Sequence, residues 1–151
     1  MNDPGSTLHH VVKLSSVATE KVRWVWPGRV ASGKLTLLDG DPGLGKSTLT
    51  LAVAAAVSAG KPMPGEDVAT CRPGNVLIIA IEDGVGDTVR PRLEAAGADV
   101  DRIFCITSPV CLRDDLGELQ RLIDTLHIAL VIIDPLMAVL DADASNDQKC
   151  R

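Results

Sequence analysis

Four stretches of this chain are apolar without alternation, and they predict its strands. They are Leu35-Thr36-Leu37-Leu38-Asp39, Val76-Leu77-Ile78-Ile79-Ala80-Ile81, Ile103-Phe104-Cys105-Ile106 and Ile128-Ala129-Leu130-Val131-Ile132-Ile133-Asp134. A strand with one wet face alternates apolar and polar residues, whereas a continuous run suits a parallel strand covered on both faces. The run at 76–81 reads as a central strand. Helical patterns lie between the runs. Residues 48–59 are rich in alanine and leucine, contain no internal Gly or Pro, and are stopped by Gly60 and Pro62. Residues 88–96 predict a short helix that tolerates Pro91 near its first turn and ends at Gly97. Leu116, Leu119, Leu122, Ile123 and Leu126 recur at helical spacing behind Asp115 and Glu118, which resemble a capping box. That stripe predicts a third helix packed on the core. Strands alternating with helices make an α/β fold, a mostly parallel sheet flanked by helices.

The remaining segments carry less pattern. Residues 1–19 are polar and mixed, as in a loose tail or arm. Trp24 and Trp26 stand two apart in the lead-in at 22–30, on one face of an extended segment, where they either anchor it on the sheet's flank or line a ligand. Pro62, Pro64, Gly65, Pro73 and Gly74 mark 62–74 as a surface connection. Residues 141–147 are polar, and Asn146 or Asp147 is placed to start another helix. The expected organisation is a tail at 1–21 and one domain at 22–151.

Composition narrows the class. A chain of 151 residues, 46% of them hydrophobic, suffices for one domain with a core, and with no Tyr, one Phe and two Trp that core is aliphatic. The net charge of −5 argues against a broad nucleic-acid footprint but leaves a local phosphate site open. Cys71, Cys105, Cys111 and Cys150 show no C-x-x-C spacing, and with His9, His10 and His127 they form no metal pattern, so reduced thiols are expected. No secretory leader or membrane-length apolar run is visible, so a cytoplasmic location with no membrane partner is expected.

The chemistry concentrates at Gly40-Asp41-Pro42-Gly43-Leu44-Gly45-Lys46-Ser47, which fits the phosphate-loop pattern G-x-x-x-x-G-K-[ST] at every specified position. Glycines let the backbone curl so that several N–H groups face a phosphate chain. Lys46 is placed to reach the β- and γ-phosphates, and the Ser47 hydroxyl to hold Mg²⁺. The positive end of the following helix adds to the field. The whole loop and Thr48 are candidate nucleotide-binding residues. Ligands in open α/β sheets lie beyond the carboxyl ends of the strands, and acids stand there twice more. Glu82 follows the run at 76–81 and is placed to orient the water attacking a γ-phosphate, unless it is a solvated strand-end charge or a helix cap. Asp83 ranks below it, as a capping or supporting group. Asp134 closes the last run and is placed to hold Mg²⁺ through a water. Arg90 and Arg92 either reach a neighbouring subunit's nucleotide or are solvated.

The lead-in at Trp24 to Arg29, the phosphate loop, Ile81-Glu82-Asp83 and Ile132-Ile133-Asp134-Pro135-Leu136 together resemble the AAA-family ATPases with a RecA-like core. They are similar in particular to RepA-type hexameric replicative helicases and related ATPases of phages and mobile elements. The resemblance covers nearly all of 22–151. It implies ATP and Mg²⁺ as ligands, Lys46 and Ser47 serving phosphate and magnesium, Glu82 as catalytic base and Asp134 as the Walker B carboxylate. It also implies a DNA-associated motor or helicase loader as the parent role, with a homo-hexamer and single-stranded DNA or replication proteins as partners. Such cores have a further strand between the loop strand and the Walker B strand, then DNA-facing loops and an arginine donated to the neighbouring subunit. None of these is in the sequence, so a truncated reading frame with a gap in its sheet is expected. Two other functions fit the same loop: a nucleotide-binding remnant or regulatory module without turnover, and a small-molecule P-loop kinase. A kinase needs an arginine-rich lid, and 62–74 offers only Arg72.

Overall fold

A computed structural model describes residues 11–140, which run β1 (Trp24–Trp26), β2 (Val30–Ala31), α1 (Lys46–Ala59), β3 (Asn75–Ala80), α2 (Arg90–Ala95), β4 (Ile103–Ile106), α3 (Leu116–Thr125), β5 (Ile128–Asp134) and α4 (Leu136–Leu140). The three long aliphatic runs pair in parallel in the order β4-β3-β5. Val76 to Ile79 of β3 lie opposite Ile103 to Ile106, and on the other side Ala80 pairs with Asp134. β3 is central as its composition predicts, with Val76 through Ala80 all buried.

Strand alternation divides the core. Val76, Ile78 and Ala80 pack with Leu51, Val53, Ala54 and Val57 of α1 and Leu93 of α2. Leu77 and Ile79 pack on the opposite side with Leu119 of α3 and Val139 of α4. The sheet is therefore the middle of three layers, the expected α/β architecture. Small alanines let α1 approach the sheet closely, and almost its whole second half is buried. Its one buried polar side chain, Ser58, is satisfied: Oγ donates to the Ala55 carbonyl at 3.1 Å and accepts from the Asp99 amide at 3.1 Å. Gly60 ends the helix in the left-handed region at φ 63°, and a Cβ there would stand 2.7 Å from the Pro73 ring.

Several expectations are corrected. Residues 35–39 are not a strand: they run without ladder partners, and Leu35, Leu37 and Leu38 are exposed. A strand is made by its neighbours' hydrogen bonds, and the sheet of the described residues ends at β5. The lead-in is a hairpin in which Trp24 pairs with Ala31 and Trp26 with Val30, with a register irregularity between them. That bulge separates the tryptophans, leaving Trp24 exposed and Trp26 in the core under the Arg29 guanidinium, 4.8 Å from the ring centroid. The helix expected at 88–96 begins instead with a π-turn at Val85–Val89, because Pro91 has no N–H to continue an α ladder back from it. Asp115 precedes α3 but makes no capping bond; its Oδ2 accepts from the Cys111 amide at 2.8 Å. Leu116 of the expected core stripe is exposed, whereas Leu119 is buried. The connection at 62–74 is a mostly exposed surface connection as expected, and within it Met63 alone is buried, at 1% exposed.

Residues 11–19 hold one short 3₁₀ turn, Leu14–Ser16, with no buried side chain. The expectations resting on His9, His10, Asn146, Asp147 and Cys150 lie outside the described residues. Among the described residues no helix is long and apolar enough to cross a membrane.

Candidate nucleotide site

The loop's curl comes from Gly43 and Gly45, both at φ 80°, a region that L side chains rarely adopt. Gly45 is also the cap of α1, so the left-handed residue turns the chain directly into the helix. The first helical residue is Lys46. Its Nζ donates to the carbonyls of Gly40 at 2.7 Å and Asp41 at 2.9 Å, drawing the ammonium back across its own loop. A neutral carbonyl is a weaker partner for an ammonium than an anion is. Ser47, one residue on, is half-buried in the first turn of a 14-residue helix whose positive end faces the loop. Asp41, Pro42 and Leu44 are exposed along the loop, and Thr48 is exposed on the outer side of the first turn.

Beside the loop lies a small hollow. Its polar wall is Ser47 and Thr50 from α1, Asp134 from the end of β5, and Asp83; its floor is Leu51, Ile78, Ala80, Val89 and Ile132. Two expected site residues, Ser47 and Asp134, thus meet there. Because Ala80 pairs with Asp134, β3 and β5 end level and both open onto the same crevice. The hydroxyls and carboxylates are hard oxygen donors, the set that suits Mg²⁺. Among the described residues no three His, Cys, Asp or Glu side chains converge as a metal group.

Glu82 does not line the hollow; it is exposed, and Asp83 stands in the wall. Period-two alternation would put Glu82 on the side of Ile78 and Ala80. Ladder partners run out at Ile106 and Asp134, however, so β3 stops at Ala80 and the chain bends over 81–83. Thr50 was not singled out from sequence, although its spacing of three from Ser47 puts both on one helix face; its Oγ1 donates to the Ser47 carbonyl at 3.0 Å. Neither tryptophan reaches the hollow. Arg90 pairs along its helix with Glu94 at 2.8 Å, which pushes its guanidinium pKa up, and Arg92 lies 4.0 Å from Asp83. The Cys71 and Cys105 thiols are pushed up by burial, which is the wrong direction for a nucleophile.

With this geometry in place, residues 3–151 match the AAA domain family. The chain belongs to that family. It is also similar to curated proteins named DNA repair protein RadA. The one from Mycolicibacterium smegmatis is 29% identical over 145 residues, which cover 95% of this chain and 26% of that protein. The one from Streptococcus pneumoniae is 27% identical over 137 residues, 91% of this chain and 28% of the relative. The Bacillus subtilis protein is 27% identical over 119 residues, 79% and 22% of the two. This AAA domain therefore spans about a quarter of the length of these relatives. No solved structure matches the chain. Family, relatives and sheet together make the fold RecA-like and the lineage that of P-loop ATPases.

Proposed function

We propose that this AAA domain binds ATP with Mg²⁺ and hydrolyses it, as the core of a cytoplasmic DNA-associated motor, a helicase or a loader. The observation that carries the reading is the formed phosphate loop with Ser47 and Asp134 lining one hollow. In this reading the loop amides and the end of α1 bind the triphosphate, and Lys46 leaves its two carbonyls for the β- and γ-phosphates. Ser47 and Asp134 hold the magnesium, which when bound neutralises charge on the phosphates. Glu82, just beyond the end of β3, orients the hydrolytic water from the rim. The RadA relatives support a DNA-associated role, and the resemblance to RepA-type helicases supports a homo-hexamer acting with single-stranded DNA or replication proteins.

One observation favours a nucleotide-binding module without turnover: Glu82 is exposed and outside the hollow. A small-molecule kinase is less favoured, because buried Met63 pins the connection that a lid would need to free. Release of labelled phosphate, with and without single-stranded DNA, separates the three. Stimulation by DNA supports the motor, binding without release the silent module, and transfer to an added acceptor the kinase. Lys46→Ala abolishes detectable affinity for a fluorescent ATP analogue, and an unchanged titration refutes the assignment of the loop.

A further inference from the structure

Two acidic side chains follow β3 in succession, and the fold treats them differently. Both are exposed, but Asp83 lines the hollow together with Ser47, Thr50 and Asp134, and Glu82 does not. The bend at 81–83 decides this. Ile81 still packs with the cluster on the α3 side of the sheet, as alternation requires, and the next residue has no ladder on either side to keep it in phase. Asp83 also has a cationic neighbour: Arg92 of α2 lies 4.0 Å away, with both side chains about half exposed, at 47% and 53%. The π-turn at Val85–Val89 sets the start of the helix that carries Arg92.

We propose that Asp83 is a second carboxylate for the cation that accompanies the nucleotide, beside Asp134 in the lining of the same hollow, and that Arg92 is the positioning residue for Asp83. The proposal rests on the ATP-binding reading and adds a division of labour between the two acids, Asp83 toward the cation and Glu82 toward water. The chemistry is consistent. Two carboxylates, two hydroxyls and phosphate oxygens are all hard donors, and magnesium is usually held by one or two carboxylates plus substrate phosphates. An ion pair as long and as wet as Asp83 with Arg92 contributes little to folding, so the part given to Arg92 rests on its charge beside the carboxylate and is tested by its own variants.

The test is a titration of Mg²⁺ against binding of a fluorescent ATP analogue to the full chain, a readout that needs no turnover. Asp83→Asn raises the Mg²⁺ concentration for half-maximal binding by about 10-fold or more, the usual effect of losing a carboxylate that supports a metal site. Glu82→Gln shifts that midpoint far less than Asp83→Asn does. Arg92→Gln shifts the midpoint in the same direction as Asp83→Asn, and Arg92→Lys, which keeps the charge, restores it. A midpoint unchanged in Asp83→Asn while the wild-type chain binds in a Mg²⁺-dependent way overturns this proposal and leaves the ATP reading standing. A shift in Glu82→Gln without one in Asp83→Asn does the same. Absence of binding by the wild-type chain at every Mg²⁺ concentration overturns both.

Discussion

The runs at 35–39 and 75–80 are both short and mostly aliphatic, each leading into a loop with charge, yet they meet different fates. β3 has a strand on each side and a helical layer on each face, and every residue from Val76 to Ala80 is buried. Residues 35–39 have no ladder, and Leu35 is 93% exposed. Apolar composition marks a segment able to be a buried strand; partners make it one. The phosphate loop is consequently supported on one side only. Its lead-in is unpaired, while its exit is α1, whose alanines are packed into the core. The order of the site descends from the helix and from Lys46 closing on its own carbonyls at 2.7 and 2.9 Å.

The difference can be tested by truncating one residue from each run. Ile78→Ala removes a side chain that is 1% exposed between α1 and the sheet, and should cost about 2–5 kcal/mol in chemical denaturation. A loss below about 1 kcal/mol would mean that β3 is not the centre of the core.

A smaller effect comes from β4, where Cys105 pairs with Ile78 and burial pushes its thiol up from the ordinary 9.0. A raised pKa in the folded state means that the unfolded chain gives up the proton first. Stability is therefore unaffected below the ordinary thiol value and falls as pH rises through the higher folded one. Cys105→Ala should flatten that alkaline limb relative to the parent chain, as read from melting temperature between neutral pH and pH about 10. Identical limbs would show that the thiol is not desolvated in the fold.

The smallest effect belongs to the unpaired run. Leu35→Ser should change stability by no more than about 0.5 kcal/mol, as for a surface position, and the amides of 35–39 should exchange with solvent well before those of β3. Strong protection there would mean that the run is paired after all.

Much of this arrangement is legible without coordinates. Unbroken aliphatic runs mark β3, β4 and β5 because a strand covered on both faces has no polar positions to alternate. The phosphate loop is legible because its glycine, lysine and serine spacing is dictated by the ligand's own geometry, and Asp134 because it closes a run long enough to be a strand. Other features depend on what surrounds a segment rather than on its residues. Whether Leu35 to Asp39 would find a partner, which tryptophan a bulge would turn inward, and that Asp115 would serve the Cys111 amide rather than cap α3 were all decided by tertiary contacts. The choice between Glu82 and Asp83 belongs with them. Period two names the first acid, but that period holds only while neighbouring strands keep the backbone pleated, and theirs end at Ile106 and Asp134. Local chemistry thus determined the phosphate-loop motif and the aliphatic strands, and the extent of the sheet decided which residues line the hollow.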